Sequence, residues 1–137
     1  MSYEPVLIYM TTADLNEAER LGELLLQKRL VACVNLPQGG MISMFHWQDQ
    51  LDHSKEQLML AKSTRDHLPA IQQILKEHHS YECPCLLALP ILGGNPSFLD
   101  WIKEETHHSY SQILCWIFEQ DNRIAASITI SDVQRRI

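Results

Sequence analysis

The sequence is short of positive charge. Lys and Arg number 11 against 17 Asp and Glu, a formal net charge of −6 with histidine neutral. Nucleic-acid binding needs clustered Lys and Arg to displace phosphate counterions. Here they are scattered, so no nucleic-acid partner is expected. No apolar run approaches the ~20 residues that span a bilayer. The opening Met1-Ser-Tyr-Glu-Pro5 lacks the basic start of a secretory signal, so no membrane association is expected either. Glycine is scarce, with 5 residues, and no Gly-rich phosphate loop, H-E-x-x-H or G-x-S-x-G occurs. Neither internal repeats nor low-complexity segments are visible. Four cysteines, Cys33, Cys83, Cys85 and Cys115, suit a cytoplasmic protein with reduced thiols. A Cys83–Cys85 disulfide is disfavoured, because residues i and i+2 of a strand lie ~6.6 Å apart, at the upper edge of bridgeable Cα distances.

What is present describes one globular unit. At roughly 150 residues per domain, 137 residues make about one. Hydrophobic residues at 45% and charged residues at 20% exclude disorder.

Pro5–Met10 reads as a buried strand ending at Thr11-Thr12. Asp14, with Glu17 three residues on, starts a helix. Ala18, Leu21, Gly22 and Leu25 then share one helical face, and Lys28-Arg29 suit the C-terminal end of the dipole. Leu30–Leu36 is apolar enough for a second buried strand, and residues 37–40, Pro-Gln-Gly-Gly, form a turn. Met41–Trp47 alternates as a strand. The polar stretch Gln48–Glu56 interrupts it, with a turn at Asp49-Gln50, and Gln57–Lys62 resumes as strand. A second helix begins near Thr64–Asp66, with Leu68, Ile71 and Leu75 on its apolar face. Pro84–Ile91 is a further strand closed by Gly93-Gly94. Asn95-Pro96 opens a third helix with Phe98, Trp101 and Ile102 on one face. The order β-α-β-β-(β)-α-β-α predicts an α+β, ferredoxin-like split βαβ sandwich with helices on one face of an antiparallel sheet. Residues 107–137 read either as an extra hairpin around Asp121-Asn122 or as a helix over Ser111–Phe118.

Several segments, taken in order, resemble the CutA divalent-cation-tolerance family. They are Lys28-Arg-Leu-Val-Ala-Cys-Val-Asn35, Phe45-His-Trp47, Lys62-Ser-Thr-Arg65, the H-x-Y-E-x-P pattern within His78–Pro84, Leu89-Pro90, and Gly94-Asn-Pro96 with Trp101 five residues on. The likeness runs from about Pro5 to Glu105, which sets a CutA-like domain over 1–106 and an extension over 107–137. It implies a ferredoxin-like subunit in a homotrimer joined by intersubunit sheets, with an architecture like that of the PII signalling proteins, and a link to copper tolerance.

The chemistry on offer is a soft-metal site. His78 and His79 are imidazole donors, and Cu(II) leads the divalent affinity order. Some members of the family join such a pair to a first-strand cysteine, a position held here by Met10. A thioether binds Cu(I) without deprotonation, so the resemblance implies a metal site of His78, His79 and Met10 that favours Cu(I) copper. Adjacent helical residues diverge by ~100°, so both rings reach one ion only if His79 lies past the last regular turn. As plain structure, His78 would pack on the Leu75 face and His79 would be solvated. Cys83 and Cys85 either supplement that metal site, form a redox-sensitive patch, or fill the sheet–helix interface. Cys33 and Cys115 read as free core thiols, and His107-His108 as a solvated turn.

No enzyme is expected. A Cys–His nucleophile needs a base in reach and an oxyanion hole, and neither is indicated. An acylphosphatase-like loop needs an Arg after the first strand, where this chain has Thr11-Thr-Ala-Asp14. The alternative to metal handling is a PII-like signalling or scaffolding trimer that takes a small anionic effector or a protein partner. Lys62 and Arg65 would be its donors, with Glu56, Tyr81 and Trp101 nearby in the family pattern.

Overall fold

Asp14 separates the first strand from the first helix. Its backbone is extended, at φ −156 and ψ 175, and its carboxylate accepts from the Glu17 amide at 2.9 Å. That bond satisfies one of the helix's orphan N–H groups. The computed structural model describes residues 4–106, so the hairpin or helix expected in 107–137, with Cys115 and His107-His108, lies outside the described residues. Strand β1 is Pro5–Thr12, two residues longer than the apolar run, because Thr11 and Thr12 pair with Leu58 and Gln57. Helix α1, Leu15–Gln27, buries Ala18, Leu21, Gly22 and Leu25 as their spacing predicts.

Arg29 leaves that helix in the left-handed region, at φ 59, and the Leu30 amide turns back to Leu25 O at 3.0 Å. This exit corrects the reading of Leu30–Leu36 as one strand. Leu30 and Val31 plug the core, 3% and 2% exposed, and only Cys33–Asn35 forms β2.

Strand β3, Met41–Trp47, and β4, Gln50–Thr64, meet in a two-residue turn at Gln48-Asp49, with φ 51 and 65. The turn falls one residue earlier than expected, and the polar stretch after it is strand throughout. Residues 50–56 of β4 pair with β3, whereas β1 begins pairing at Gln57. The two strands thus run past the main sheet as a ribbon with one face exposed and the other, at Met41, Ser43 and Phe45, half-buried, and the β4 half of it needs no apolar alternation.

A 3-10 turn, Arg65–His67, precedes α2, Leu68–His78, which has Pro69 in its first turn and buries Ile71, Ile74 and Leu75. Strand β5 is Leu86–Pro90 and α3 is Pro96–Thr106. The sheet order is β2-β4-β1-β5, with antiparallel neighbours throughout, and β3 extends β4. Met10 lies opposite Met59 and Leu86, and Ile8 opposite Ala61 and Ala88. Ile8, Met10, Met59 and Ala61 join Leu21 and Leu25 of α1 with Ile71 and Leu75 of α2 in the core, Leu86 packs against its edge, and Ala88 is exposed. Each fully buried large apolar side chain contributes about 1.5–3 kcal/mol.

The other sheet face carries Leu7, Tyr9, Thr11, Leu58, Leu60 and Lys62, with Leu87 and Leu89 from β5, since paired residues point the same way. Leu7 and Lys62 share a cavity with Phe98, Leu99 and Ile102, so α3 lies on this second face. That placement corrects the expectation of helices on one face alone. Ile102 is 1% exposed, but Phe98 and Trp101, expected beside it on an apolar face, are 43% and 37% exposed.

Candidate functional site

At the C-terminal end of β1, α1 and the loop after α2 are tied together by one carboxylate. Glu17 is 4% exposed. Its oxygens accept from Ala13 N at 3.0 Å, Ser80 N at 2.7 Å and Ser80 Oγ at 3.0 Å. Burial pushes this carboxyl's pKa up, but the Ala13 and Ser80 amides, the Ser80 hydroxyl and His79 outweigh it, leaving it below its usual value. His79 Nδ1 stands 3.8 Å from Glu17 Oε2.

The His79 ring is engaged on both nitrogens. Nε2 donates to Thr11 O at 2.8 Å, and Nδ1 accepts from Tyr81 N at 3.0 Å. A carbonyl can only accept and an amide can only donate, so the two bonds select the Nε2–H tautomer. His79 is the C-cap of α2, with extended backbone at φ −81 and ψ 144, past the last regular turn as metal binding would require. Its side chain is nonetheless 1% exposed, while that of His78 is 48% exposed. The pair is therefore reversed from its plain structural reading: His79 is inside and His78 is outside.

Met10 is fully buried in the core. Thus His78 offers an open ring, His79 has no free nitrogen, and Met10 is enclosed by apolar neighbours. The three side chains implied for copper do not fit an ion as one set in this arrangement. Among the described residues no three His, Cys, Asp or Glu side chains gather into a metal-binding group.

A second group sits on the open sheet face. Tyr81 Oη donates to Glu56 Oε2 at 2.9 Å, and burial together with that carboxylate pushes the phenol's pKa up to about 12. Burial, then the charge of Glu56, raises the Cys85 thiol, while a hydrogen bond with the Thr11 side chain opposes them. A thiol held protonated is a poor nucleophile. Cys85 therefore belongs to this polar group and not to the sheet–helix interface, and Cys83 is exposed. Cys33, expected in the core, is half-buried beside Asn35. All three thiols are free.

The two cations named as anion donors differ. Arg65 Nη1 lies 3.4 Å from Glu4 Oε2, so it already has a carboxylate. Lys62 Nζ donates to the neutral Asn35 Oδ1 at 2.6 Å and stands 5.9 Å from the Phe98 ring centroid. Trp101 stacks obliquely on Phe98, centroids 5.4 Å apart. Sequence reasoning missed Glu17 as an organiser, reading it as a helix-start residue. The signal was there, because Glu17, Leu21 and Leu25 fall at i, i+4 and i+8 on the buried face. The Lys62–Asn35 contact had no such signal, since it joins residues 27 apart.

A four-stranded β2-β4-β1-β5 sheet with α1 and α2 as crossovers and a protruding ribbon defines a ferredoxin-like α+β subunit. The profile of the family described as CutA1 divalent ion tolerance protein matches residues 6–105, and the chain belongs to that family. A Divalent-cation tolerance protein CutA from Archaeoglobus fulgidus is 39% identical over 97 residues, 71% of this chain and 93% of the relative. The solved structure described as the Periplasmic divalent cation tolerance protein CutA from Archaeoglobus fulgidus superposes with a TM-score of 0.71 at 37% identity, covering 74% of this chain and 98% of that one. The Cut A1 structure from Thermus thermophilus gives 0.72 at 33% identity, covering 74% and 97%.

Proposed function

We propose that this chain acts in divalent-cation tolerance as a non-catalytic, cytoplasmic homotrimer. The carrying observation is the apolar surface of the β3–β4 ribbon: Met44, 81% exposed, Leu51, 80%, and Ile42, 66%, share one face, and Trp47, 63%, stands on the other. An isolated two-stranded ribbon is marginal in water, and a contiguous apolar patch of this kind marks a protein interface. Among the described residues the ribbon's two outer edges have no strand partner. Another copy of the chain supplies both strands and apolar cover. Cytoplasmic placement rests on the reduced thiols; no described helix is long and apolar enough to cross a membrane. The Archaeoglobus relative is described as periplasmic, so fractionation of the native host checks this point.

Light scattering on the purified chain tests the assembly. The expected mass is about 47 kDa, three times the 15.8 kDa of one chain. Met44→Glu with Trp47→Glu is expected to lower it. A monomer at tens of micromolar would sink the proposal. Copper uptake is the second part. Anaerobic Cu(I) titration with a Cu(II) control, on the wild type and on His78→Ala, reads stoichiometry at the one open ring of the implied set.

A second reading, an effector-binding trimer of the PII-like kind, is favoured by Lys62, whose ammonium meets a neutral amide and an aromatic ring but no described carboxylate.

A further inference from the structure

Between α3 and the open sheet face lies a cavity of about 330 Å³. Leu7 of β1, Ile91 after β5, and Phe98, Leu99 and Ile102 of α3 form its apolar wall, and Lys62 is the one ionisable side chain among the described residues that lines it. Small-molecule sites run from ~300 to 1,000 Å³, so this one suits a ligand of about ten non-hydrogen atoms.

We propose that this cavity binds a small amphiphilic monoanion, a carboxylate with an aliphatic or aromatic body, with the anionic group on Lys62 Nζ and the body among Leu7, Ile91 and Phe98. The inference rests on the effector reading and gives it a place and a chemistry. An ammonium has three donors. The Asn35 amide takes one, at 2.6 Å, and the Phe98 face lies 5.9 Å away, leaving donor capacity at the cavity. Lys62 is half-buried and its bond to Asn35 is open to solvent, so a ligand body that covers it takes the charge out of water, which is costly unless the charge is paired. A carboxylate on Lys62 supplies the pairing, and the apolar wall rewards the body attached to it.

The same surroundings exclude other classes. A di- or triphosphate needs several cations, but Arg65 is held by Glu4 and lines a different cavity. An amine would meet the Lys62 charge. A neutral alcohol fills the apolar part but leaves the ammonium without its counterion.

Octanoate is the probe, added to the full-length protein in its native assembly and followed by calorimetry and tryptophan fluorescence, Trp101 lying beside Phe98. Saturable binding at about one site per chain is expected, weakened more than ~10-fold for butyrate, because each buried methylene adds favourable transfer. 1-Octanol is expected to bind at least ~10-fold more weakly than octanoate, and octylamine not at all. Lys62→Met should lose ~10-fold or more, and Lys62→Arg should stay within about 3-fold. Gly94→Leu provides an independent block: a Cβ there sits 3.7 Å from Leu99, in ordinary contact, so the side chain grows at the cavity without displacing backbone. It should abolish octanoate binding with Lys62 intact, and light scattering confirms that both variants keep the wild-type mass.

Octanoate binding unchanged in Lys62→Met, or matched by 1-octanol, overturns the inference. Inorganic phosphate is the separating arm. If phosphate binds with dependence on Lys62 while octanoate does not, the effector reading stands and the amphiphile falls. If neither binds, both fall.

Discussion

Ser80 N donates to Glu17 Oε2 at 2.7 Å, and the Ser80 hydroxyl donates to the other oxygen of the same carboxylate at 3.0 Å. The pair lies 63 residues apart in sequence and pins the loop after α2 to the first turn of α1. With His79 bonded to Thr11 O in the same place, three elements converge on one buried charge. This knot sets the exit of α2 and hence the run into Tyr81, Cys85 and β5.

Removing that charge should be costly. Glu17→Gln replaces an acceptor by an amide NH2 and leaves one of its donors facing another donor. An unsatisfied buried group costs ~1–3 kcal/mol. Denaturant unfolding at pH 7 should show a loss in that range, and Glu17→Ala a larger one. No change in either would mean that the knot contributes nothing to stability.

Acid should act through the same residue. The folded pKa of Glu17 lies below its ordinary value of 4.5, so folding takes up no proton there at neutral pH and favours the ionised form. Its stabilisation is present above pH 4.5 and is lost as pH falls through the depressed folded value. Thermal midpoints of wild type and Glu17→Gln should therefore converge below that pH. A gap that stays constant down to about pH 3 would contradict the sign.

The histidine pair should separate in stability. His79→Ala strips partners from Thr11 O and Tyr81 N inside the fold, which should cost ~2–4 kcal/mol for two buried groups. His78→Ala, at an exposed site, should stay within ~0.5 kcal/mol. Met10→Ala should cost ~2–5 kcal/mol as a core truncation. A metal assay on His79→Ala or Met10→Ala thus needs a folding control, and one on His78→Ala does not.

The ribbon turn is suboptimal. Gln48 and Asp49 both hold positive φ, which a type I′ hairpin turn fills best with Asn-Gly. Gln48→Asn with Asp49→Gly should raise stability by ~0.5–1 kcal/mol, since the turn strain is relieved. A lower thermal midpoint would show that these side chains make contacts worth more than that strain.

The thiols should react unequally. Cys83 is exposed, while burial and Glu56 keep Cys85 protonated. Iodoacetamide at about pH 8, near the ordinary thiol pKa, with peptide mass mapping should find Cys83 labelled several-fold faster than Cys85. Glu56→Gln should narrow the difference.

The elements set by local patterning were legible. The α1 stripe of Ala18, Leu21, Gly22 and Leu25, the Asp14 cap, and the Pro96 start of α3 all depend on residues within one or two turns. The polar half of β4 was not, because alternation is informative only where one face is buried. Nor was the break at Arg29, whose left-handed exit let the apolar Leu30–Ala32 read as strand. The order of His78 and His79 was inverted because helix periodicity stops at His78, and the next residue turns inward on the strength of Thr11, 68 positions away.

The sequence by itself determined the element order, the crossover arrangement, the apolar faces of α1 and α2, and the resemblance to the family the chain belongs to, since each is carried by short-range spacing. The tertiary structure alone decided that the Ser80 loop closes on the Glu17 carboxylate, that His79 spends both nitrogens on the main chain, and that α3 closes a Lys62-lined cavity on the far face of the sheet. The physical reason is range. Periodicity and capping are written in neighbouring residues, whereas hydrogen-bond satisfaction and burial of a particular side chain depend on which distant backbone groups the topology brings within about 3 Å.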